Sequence, residues 1–235
     1  MKYFNFLWVI LALIFVTAGY GSLTEASEEE IESYQLLSDH PIWDKMEKIF
    51  SQGNVLETKQ RFFKAGFQTL HQQPSGMYVA KHPSLSGYLV KLYLDGHPQA
   101  GQLQWMIDRC KGAENIRNLI AKKKLKHFTV PKKWIYYPEA SSPILVVEDM
   151  QIVSQEKSKI AWKTAGKSEL KELYTLLKNG FGSCYLKHNI PYTKSGKFAC
   201  VDTAYPYRKF HYWQAKKYFS VEMQQYWDEL VAENP

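Results

Sequence analysis

The stretch that most constrains the fold lies late in the chain, at residues 186–203, and reads LKHNIPYTKSGKFACVDT. Its central KSG sequence, residues 194–196, is typical of a tight turn, and the residues on either side favour two short paired strands. The sequence therefore predicts a β-hairpin that opens at Asn189 and closes at Asp202. Because a hairpin brings its two ends together, we expect these two side chains to face one point.

An amide oxygen beside a carboxylate is a ligand set that suits Mg²⁺, which prefers oxygen ligands and completes its shell with water and phosphate oxygens. Asn189 and Asp202 are therefore candidate metal ligands. The alternative is an ordinary hairpin, because Asn and Asp are also common turn formers. The choice between the two depends on the chain upstream.

Upstream of this hairpin, the apolar pattern changes from helical to strand-like. Three short strands are predicted at 67–70, 77–80 and 88–94, separated by turns rich in Gly, Pro and Ser. Two more, at 130–137 and 144–150, form a second predicted hairpin. These segments predict an α+β fold, in which a small antiparallel sheet is packed by helices.

The clearest predicted helix spans residues 99–124, where apolar residues recur at intervals of three and four. A second well-formed helix is predicted at 167–180 and a third at roughly 212–231. Residues 34–66 also carry apolar residues at helical spacing after a capping sequence followed by proline. These helices supply the packing that a small sheet needs.

Taken in order along the chain, these motifs resemble those of the protein-kinase-like fold. The sequence Val90-Lys91-Leu92-Tyr93 resembles the strand whose lysine contacts the α- and β-phosphates of ATP. Asn189 and Asp202 match the asparagine of the catalytic loop and the aspartate of the DFG motif, which hold the metal under ATP. The resemblance covers about residues 67–203 and implies a small lobe plus a minimal helical lobe, with ATP and Mg²⁺ as possible ligands.

The same resemblance assigns further nucleotide contacts. Glu114 is the choice for the helix glutamate that pairs with the strand lysine, and Asp108 is its competitor. The backbone from Glu148 to Met150 corresponds to the hinge that faces adenine. The predicted nucleotide-binding residues are thus Lys91, Glu114, Glu148 and Met150.

Several departures from the kinase pattern argue against catalysis. Asp202-Thr203-Ala204 stands where DFG is expected, and Cys184 stands where the catalytic base aspartate should be. The only turn suited to cover phosphates is at residues 73–76, with one glycine, and only 33 residues follow Asp202. The resemblance therefore implies an atypical or non-catalytic kinase-like module that binds an anionic ligand or a partner protein. A small-molecule kinase is a third possibility, against which the missing base also counts.

The charge distribution supports a preference for anions. The formal net charge is +7, and residues 61–235 hold 26 basic and 14 acidic residues. A basic surface is predicted from six lysines within twelve residues: Lys122, Lys123, Lys124, Lys126, Lys132 and Lys133. The alternative function is therefore an exported basic α+β adaptor that binds an anionic membrane or acidic partners without a nucleotide site. No recognised nucleic-acid motif accompanies the lysines.

The first residues predict export from the cytosol. Residues 1–21 have the basic start, apolar core and small residues of a signal peptide, or form an uncleaved anchor. Residues 22–33 are predicted to be an acidic linker. Residues 34–150 then form the small-lobe-like part, and residues 151–235 the reduced helical lobe.

The three cysteines, Cys110, Cys184 and Cys200, have neither CxxC nor Cys/His zinc spacing. Buried thiols are expected, and Cys184–Cys200 is the candidate bridge if the chain is exported. The chain also resembles small hypothetical proteins of chlamydia-like bacteria that carry a comparable NIPYT…GK…(I/V)DT segment.

Overall fold

A computed structural model describes residues 27–95, 101–139, 141–203 and 211–233 of the chain. The predicted signal peptide or anchor at residues 1–21 lies outside these described residues. Within them, no helix combines the length and the apolar character needed to cross a membrane.

The helices are α1 (Glu28–Tyr34), α2 (Trp43–Phe50), α3 (Lys59–Lys64), α4 (Gln102–Lys123), α5 (Gln155–Thr164), α6 (Lys167–Lys178), α7 (Leu186–Asn189), α8 (Trp213–Lys216) and α9 (Val221–Ala232). The strands are β1 (Gln68–Gln72), β2 (Tyr78–Lys81), β3 (Tyr88–Leu92), β4 (Phe128–Thr129), β5 (Lys133–Tyr136), β6 (Ile144–Glu148) and β7 (Phe198–Ala199).

Five of the strands form one antiparallel sheet in the order β1-β2-β3-β6-β5. This confirms the predicted α+β class with an antiparallel sheet. The register places Lys91 of β3 opposite Leu145 of β6, which in turn lies opposite Ile135 of β5. Lys91 therefore points to the same face of the sheet as these two apolar residues, since directly paired residues share a face.

That face of the sheet packs against α4. Met106, Ile107 and Cys110 of the helix form a small apolar cluster with residues of β5 and β6. The opposite face packs against α2 and α3 through a larger apolar core, which includes Met46, Phe62, Val90, Leu92, Tyr136 and Val146. The sheet thus carries helices on both faces, while its edge strand β1 is mostly exposed.

A separate core holds the C-terminal helices together, centred on the fully buried Trp162 of α5. Its indole stacks on Phe198 of β7 with ring centroids 3.8 Å apart, and its N–H donates to the carbonyl of Ile190 at 2.9 Å. Strand β7 pairs in parallel with β4, which is the strand that follows α4 in the chain. This pairing joins the predicted hairpin to the segment between α4 and β5.

The predicted acidic linker at 22–33 is wrong for its last residues, because α1 begins at Glu28 and packs on α4. The Ser27 side chain caps its N-terminus, and the acidic first turn suits the positive end of the helix dipole. Glu30 pairs with Lys111 at 2.7 Å. The apolar contacts of Ile31 and Tyr34 explain why an acidic segment is ordered here.

Two other predictions need correction. The single helix predicted at 212–231 is two helices, because Ser220 caps a new helix, α9, with its side chain. Helix α5 was not predicted at all. The cysteine prediction of buried thiols is confirmed: Cys110, Cys184 and Cys200 are all buried, and no disulfide joins them.

Candidate functional site

The predicted hairpin is present and its two ends meet. The backbone N–H of Val201 donates to the carbonyl of Asn189 at 3.0 Å, and that of Ala199 donates to the carbonyl of Pro191 at 2.9 Å. Asn189 is the last residue of the short helix α7 rather than part of a strand. The chain therefore brings the backbone of Asn189 next to the residue that precedes Asp202, and the expectation that the two side chains face one point stays a prediction.

Asp202 lies at the edge of a group of charged side chains that approach it from α4 and the sheet. Its carboxylate pairs with the guanidinium of Arg109 at 3.3 Å. The side chain of Arg109 is only 9% exposed and lies over the ring of Trp105, 4.0 Å from the ring centroid. We call Lys91, Arg109, Lys133, Asp202 and Thr203 the Asp202 cluster.

Thr203 connects the two sides of this cluster. Its hydroxyl donates to the backbone carbonyl of Arg109 at 2.6 Å and accepts from the ammonium of Lys133, also at 2.6 Å. Lys133 makes a second hydrogen bond, to the carbonyl of Val201 at 3.2 Å. These hydrogen bonds fix the segment 201–203 to α4 and to β5, both of which lie far from it in the sequence.

Close packing against α4 holds the same segment. A Cβ atom built on Gly112 would lie 1.9 Å from the carbonyl oxygen of Thr203. Only glycine allows the backbone of residue 203 to approach the helix this closely. Gly112 lies one helical turn beyond Arg109, so the helix holds both the carboxylate of Asp202 and the backbone that follows it.

Lys91 reaches the cluster from β3 and is partly buried. Burial first and the nearby positive charge of Arg109 second lower the pKa of its ammonium, Asp202 acts in the opposite direction, and the resulting pKa is about 8. Among the described residues, the ammonium has no hydrogen-bond or ion-pair partner. A partly desolvated cation that makes no hydrogen bond or ion pair costs free energy, which the charge of Asp202 offsets only in part.

Lys133 was predicted to lie on the basic surface, and this is wrong. The side chain is buried at 5% exposure, because Val201 and Thr203 supply acceptors for its ammonium. Burial lowers the pKa of Lys133 well below its usual value, and the charges of Lys91 and Arg109 lower it further. The remaining lysines of the predicted surface are exposed: Lys122, Lys123, Lys124, Lys126 and Lys132.

The helix residue that lies by Lys91 and Asp202 is Arg109, not Glu114. Glu114 points to α1 and accepts a hydrogen bond of 2.8 Å from the hydroxyl of Tyr34. Asp108, its competitor, accepts from the side chain of Gln104 at 2.8 Å. The helix therefore presents a cation where the kinase resemblance implies a carboxylate.

The predicted hinge, Glu148 to Met150, follows β6 directly. The backbone N–H of Glu148 donates to the carbonyl of Lys132 at 3.1 Å, and its carboxylate accepts from the N–H of the same residue at 2.8 Å. The N–H of Asp149 donates to the carbonyl of Gly87 at 2.8 Å. Contacts of this segment with adenine stay a prediction.

The region that would correspond to a catalytic loop contains no carboxylate. Cys184 is buried, and its neighbour Ser183 accepts a hydrogen bond of 3.0 Å from the side-chain amide of Asn189. Across the described ranges, no group of three or more His, Cys, Asp or Glu side chains is arranged to hold a metal ion.

Arg109 was not among the predicted site residues, although one feature of the sequence indicates it. Arg109 falls within the stripe of buried residues of α4, between Met106 and Gly112. A charged residue at a buried position of an amphipathic helix requires a partner from elsewhere in the chain, because an isolated buried charge is unstable.

Comparisons with known proteins give limited information. No family model matches the chain, and no curated protein matches it, so nothing here supports the resemblance to proteins of chlamydia-like bacteria. Among solved structures, vaccinia related kinase 3 has a TM-score of 0.34 and 14% identity, with 60% of this chain and 46% of that chain covered. WbdD in complex with the kinase inhibitor LY294002 has a TM-score of 0.34 and 15% identity, with 64% of this chain and 35% of that chain covered.

A second structure of WbdD gives a TM-score of 0.35 and 14% identity, and covers 70% of this chain and 37% of that chain. The present chain thus spans less than half the length of each of these solved chains. One of these neighbours is named a kinase and another was solved with a kinase inhibitor, and the similarity is weak.

Proposed function

We propose that the protein is an atypical, non-catalytic kinase-like module that binds a phosphate-bearing ligand, such as a nucleotide, at the Asp202 cluster. One observation carries this proposal. The ammonium of Lys91 lies partly buried in the cluster, near Arg109 and Asp202, with a pKa of about 8 and without a hydrogen bond or ion pair to the described residues. A bound phosphate group would supply the missing negative charge.

The charge balance of the cluster favours an anion over a cation. Three basic side chains surround a single carboxylate, and Arg109 already pairs with that carboxylate. Lys133 directs its ammonium to Val201 and Thr203. Lys91 is therefore the residue whose charge is available for a ligand, and Arg109 adds to the positive field it would meet.

Phosphoryl transfer receives less support than binding. Positioning and electrostatic stabilisation do most of the work in that reaction, but an acceptor hydroxyl still needs to be oriented. Cys184 at the corresponding position is buried and carries no carboxylate. We therefore place the protein with binding modules rather than with enzymes, and contacts from Glu148 to Met150 to a base belong to the same proposal.

The adaptor function is the second candidate, and the exposed lysines at the end of α4 favour it. Lys122, Lys123 and Lys124 are exposed, and Lys126 beyond them is exposed as well. Such a group attracts anionic lipid or an acidic partner protein. It accounts neither for the partly buried Lys91 nor for the hydrogen bonds that fix the segment 201–203, so it stands second. Export also remains a proposal.

The test is thermal unfolding of the full chain with increasing ADP or ATP. A ligand that binds only the native state raises the melting temperature in a concentration-dependent way. We expect such a rise in the wild type and its loss in Lys91→Met. Lys81→Met is the matched control, because Lys81 is an exposed lysine at the end of the neighbouring strand β2.

A melting temperature that stays constant up to millimolar nucleotide would contradict the proposal. An equal shift in the wild type and in Lys91→Met would also contradict it, because binding would then occur elsewhere. In that case, binding to vesicles of anionic lipid, lost when the four lysines of 122–126 are replaced by Gln, would favour the adaptor.

A further inference from the structure

The carboxylate that was predicted to hold a metal ion already has a cation beside it. The guanidinium of Arg109 lies 3.3 Å from the carboxylate of Asp202. The Arg109 residue is only 8% exposed and lies against the ring of Trp105. This is a built-in ion pair within the fold rather than a contact between two mobile surface chains.

The position of Arg109 is fixed on its backbone side as well. Its carbonyl accepts a hydrogen bond of 2.6 Å from Thr203, and Gly112 one turn later packs directly against the backbone of Thr203. Helix α4 and the residue after Asp202 therefore cannot separate without breaking both contacts. The backbones that carry Arg109 and Asp202 are thereby held close together, which favours the ion pair between their side chains.

The residues present do not fit a divalent metal ion. A metal bound to Asp202 would share the carboxylate with the guanidinium, and the two positive charges would repel each other at short range. Lys91, also near Asp202, adds a further positive charge to the space that a metal would occupy.

We propose that Arg109 takes the place of a divalent cation at Asp202, so that the Asp202 cluster binds the phosphate groups of its ligand without Mg²⁺. This inference rests on the proposed function. The guanidinium offers several N–H donors to phosphate oxygens, and its charge does not depend on pH in the physiological range. The metal ion that a phosphate ligand ordinarily brings is then unnecessary.

The test is a binding titration of the full chain with ADP and with inorganic pyrophosphate, each in excess EDTA and each in excess Mg²⁺. We expect the dissociation constants in the two conditions to agree within about threefold. Comparing ADP with pyrophosphate separates a nucleotide site from a site for the diphosphate group alone.

The outcomes separate the two proposals. Binding that occurs only with Mg²⁺ would overturn this inference and leave the proposed function standing. Absence of binding in both conditions would overturn both. Equal binding with and without the metal supports both.

A variant makes the role of the guanidinium specific. Arg109→Gln should weaken ADP binding in EDTA by about tenfold or more, and Mg²⁺ should recover part of the loss because Asp202 is then free of the guanidinium. Arg117→Gln is the control, since Arg117 lies two turns further along α4 and donates to the carbonyl of Pro131. An unchanged affinity in Arg109→Gln would overturn the inference.

A measurement on the wild type does not depend on whether that variant folds. Titration of the full chain with Mn²⁺ alone, followed by electron paramagnetic resonance, should show only free metal. A bound Mn²⁺ signal that disappears in Asp202→Asn would overturn the inference.

Discussion

The two faces of the five-stranded sheet are built from different chemistry. The face toward α2 and α3 is covered by a large apolar core in which Phe62 stacks on Phe67, with ring centroids 4.6 Å apart. The face toward α4 has only a small apolar cluster, and beside it lie Lys91 and Lys133. The first face is packed by apolar side chains, whereas the second places two cations near Asp202.

This division explains how the sheet tolerates buried charge. Placing Lys133 under α4 costs free energy, which the hydrogen bonds to Val201 and Thr203 offset. The apolar face carries no comparable cost, since hydrophobic burial there is nearly complete. Changes on the two faces should therefore affect different measurements.

The largest effect on stability is expected from Phe62→Ala on the apolar face. Phe62 is fully buried, and removal of a buried aromatic ring typically costs about 3–5 kcal/mol of unfolding free energy. Ligand affinity of the folded fraction should not change. Chemical denaturation and the ADP titration together measure the two quantities.

Phe63→Ala is the matched control for that variant. Phe63 is the next residue and is 42% exposed, so its loss should change the unfolding free energy by less than about 1 kcal/mol. Equal destabilisation by Phe62→Ala and Phe63→Ala would contradict the conclusion that burial on the apolar face of the sheet stabilises the fold.

A smaller effect on stability, with an effect on binding, is expected from Gly112→Ala. The new Cβ would meet the carbonyl oxygen of Thr203 at 1.9 Å, so the segment 201–203 must move away from α4. Overpacking of this kind costs about 1–3 kcal/mol, which exceeds the roughly 1 kcal/mol gained from the better helix propensity of alanine. ADP affinity should fall because Asp202 moves with the segment.

Asn118→Ala on the same helix separates the gain in helix propensity from the cost of overpacking, since Asn118 is exposed. This control should stabilise the protein slightly or leave it unchanged and should not affect ADP binding. If Gly112→Ala behaved like Asn118→Ala, the close approach of Thr203 to the helix would have no energetic role.

The smallest expected effect is on the pH dependence of stability and comes from Lys91. Its folded-state pKa of about 8 lies below the ordinary value of 10.5, so between these values the unfolded chain binds a proton that the folded chain lacks. The contribution of Lys91 to stability should therefore rise with pH from about 8 to 10.5, and below pH 8 its unfavourable effect is fully present.

Denaturation midpoints of the wild type and Lys91→Met, measured from pH 7 to 10, test this prediction. Lys91→Met should be the more stable protein at pH 7, and its advantage should shrink as pH rises. A constant difference across this range would mean that Lys91 titrates as an ordinary surface lysine. Over the same range, ADP binding to the wild type should weaken as the ammonium loses its charge.

Much of the fold could be predicted from the sequence because its elements carry strong local patterns. The strands at 88–92 and 144–148 and the helix at 102–123 all fall within the predicted segments. Helix α1 was missed because its acidic composition is typical of a solvated linker, while its few apolar residues become informative only once α4 lies beside them.

The candidate site was predictable only in part, because several of its residues have hydrogen-bond or ion-pair partners that lie far away in the sequence. The meeting of Asn189 with the end of the hairpin follows from a local turn, so the sequence indicates it. The burial of Lys133 depends on Thr203, which is 70 residues away, and the role of Arg109 depends on residues just as distant. Periodicity within one segment cannot report such pairings, which is why Lys133 was assigned to the surface and Arg109 was not among the predicted site residues.

The docking of residues 201–203 has a consequence for how the protein is made. The sheet ends at Glu148, but the acceptors for the ammonium of Lys133 come from Val201 and Thr203. While the chain leaves the ribosome, the sheet and α4 are synthesised well before these acceptors. Until the acceptors emerge, hydration of the ammonium groups of Lys91 and Lys133 opposes the packing of α4 onto the sheet. Burial of the ammonium of Lys133 therefore depends on a segment that is translated after the whole sheet.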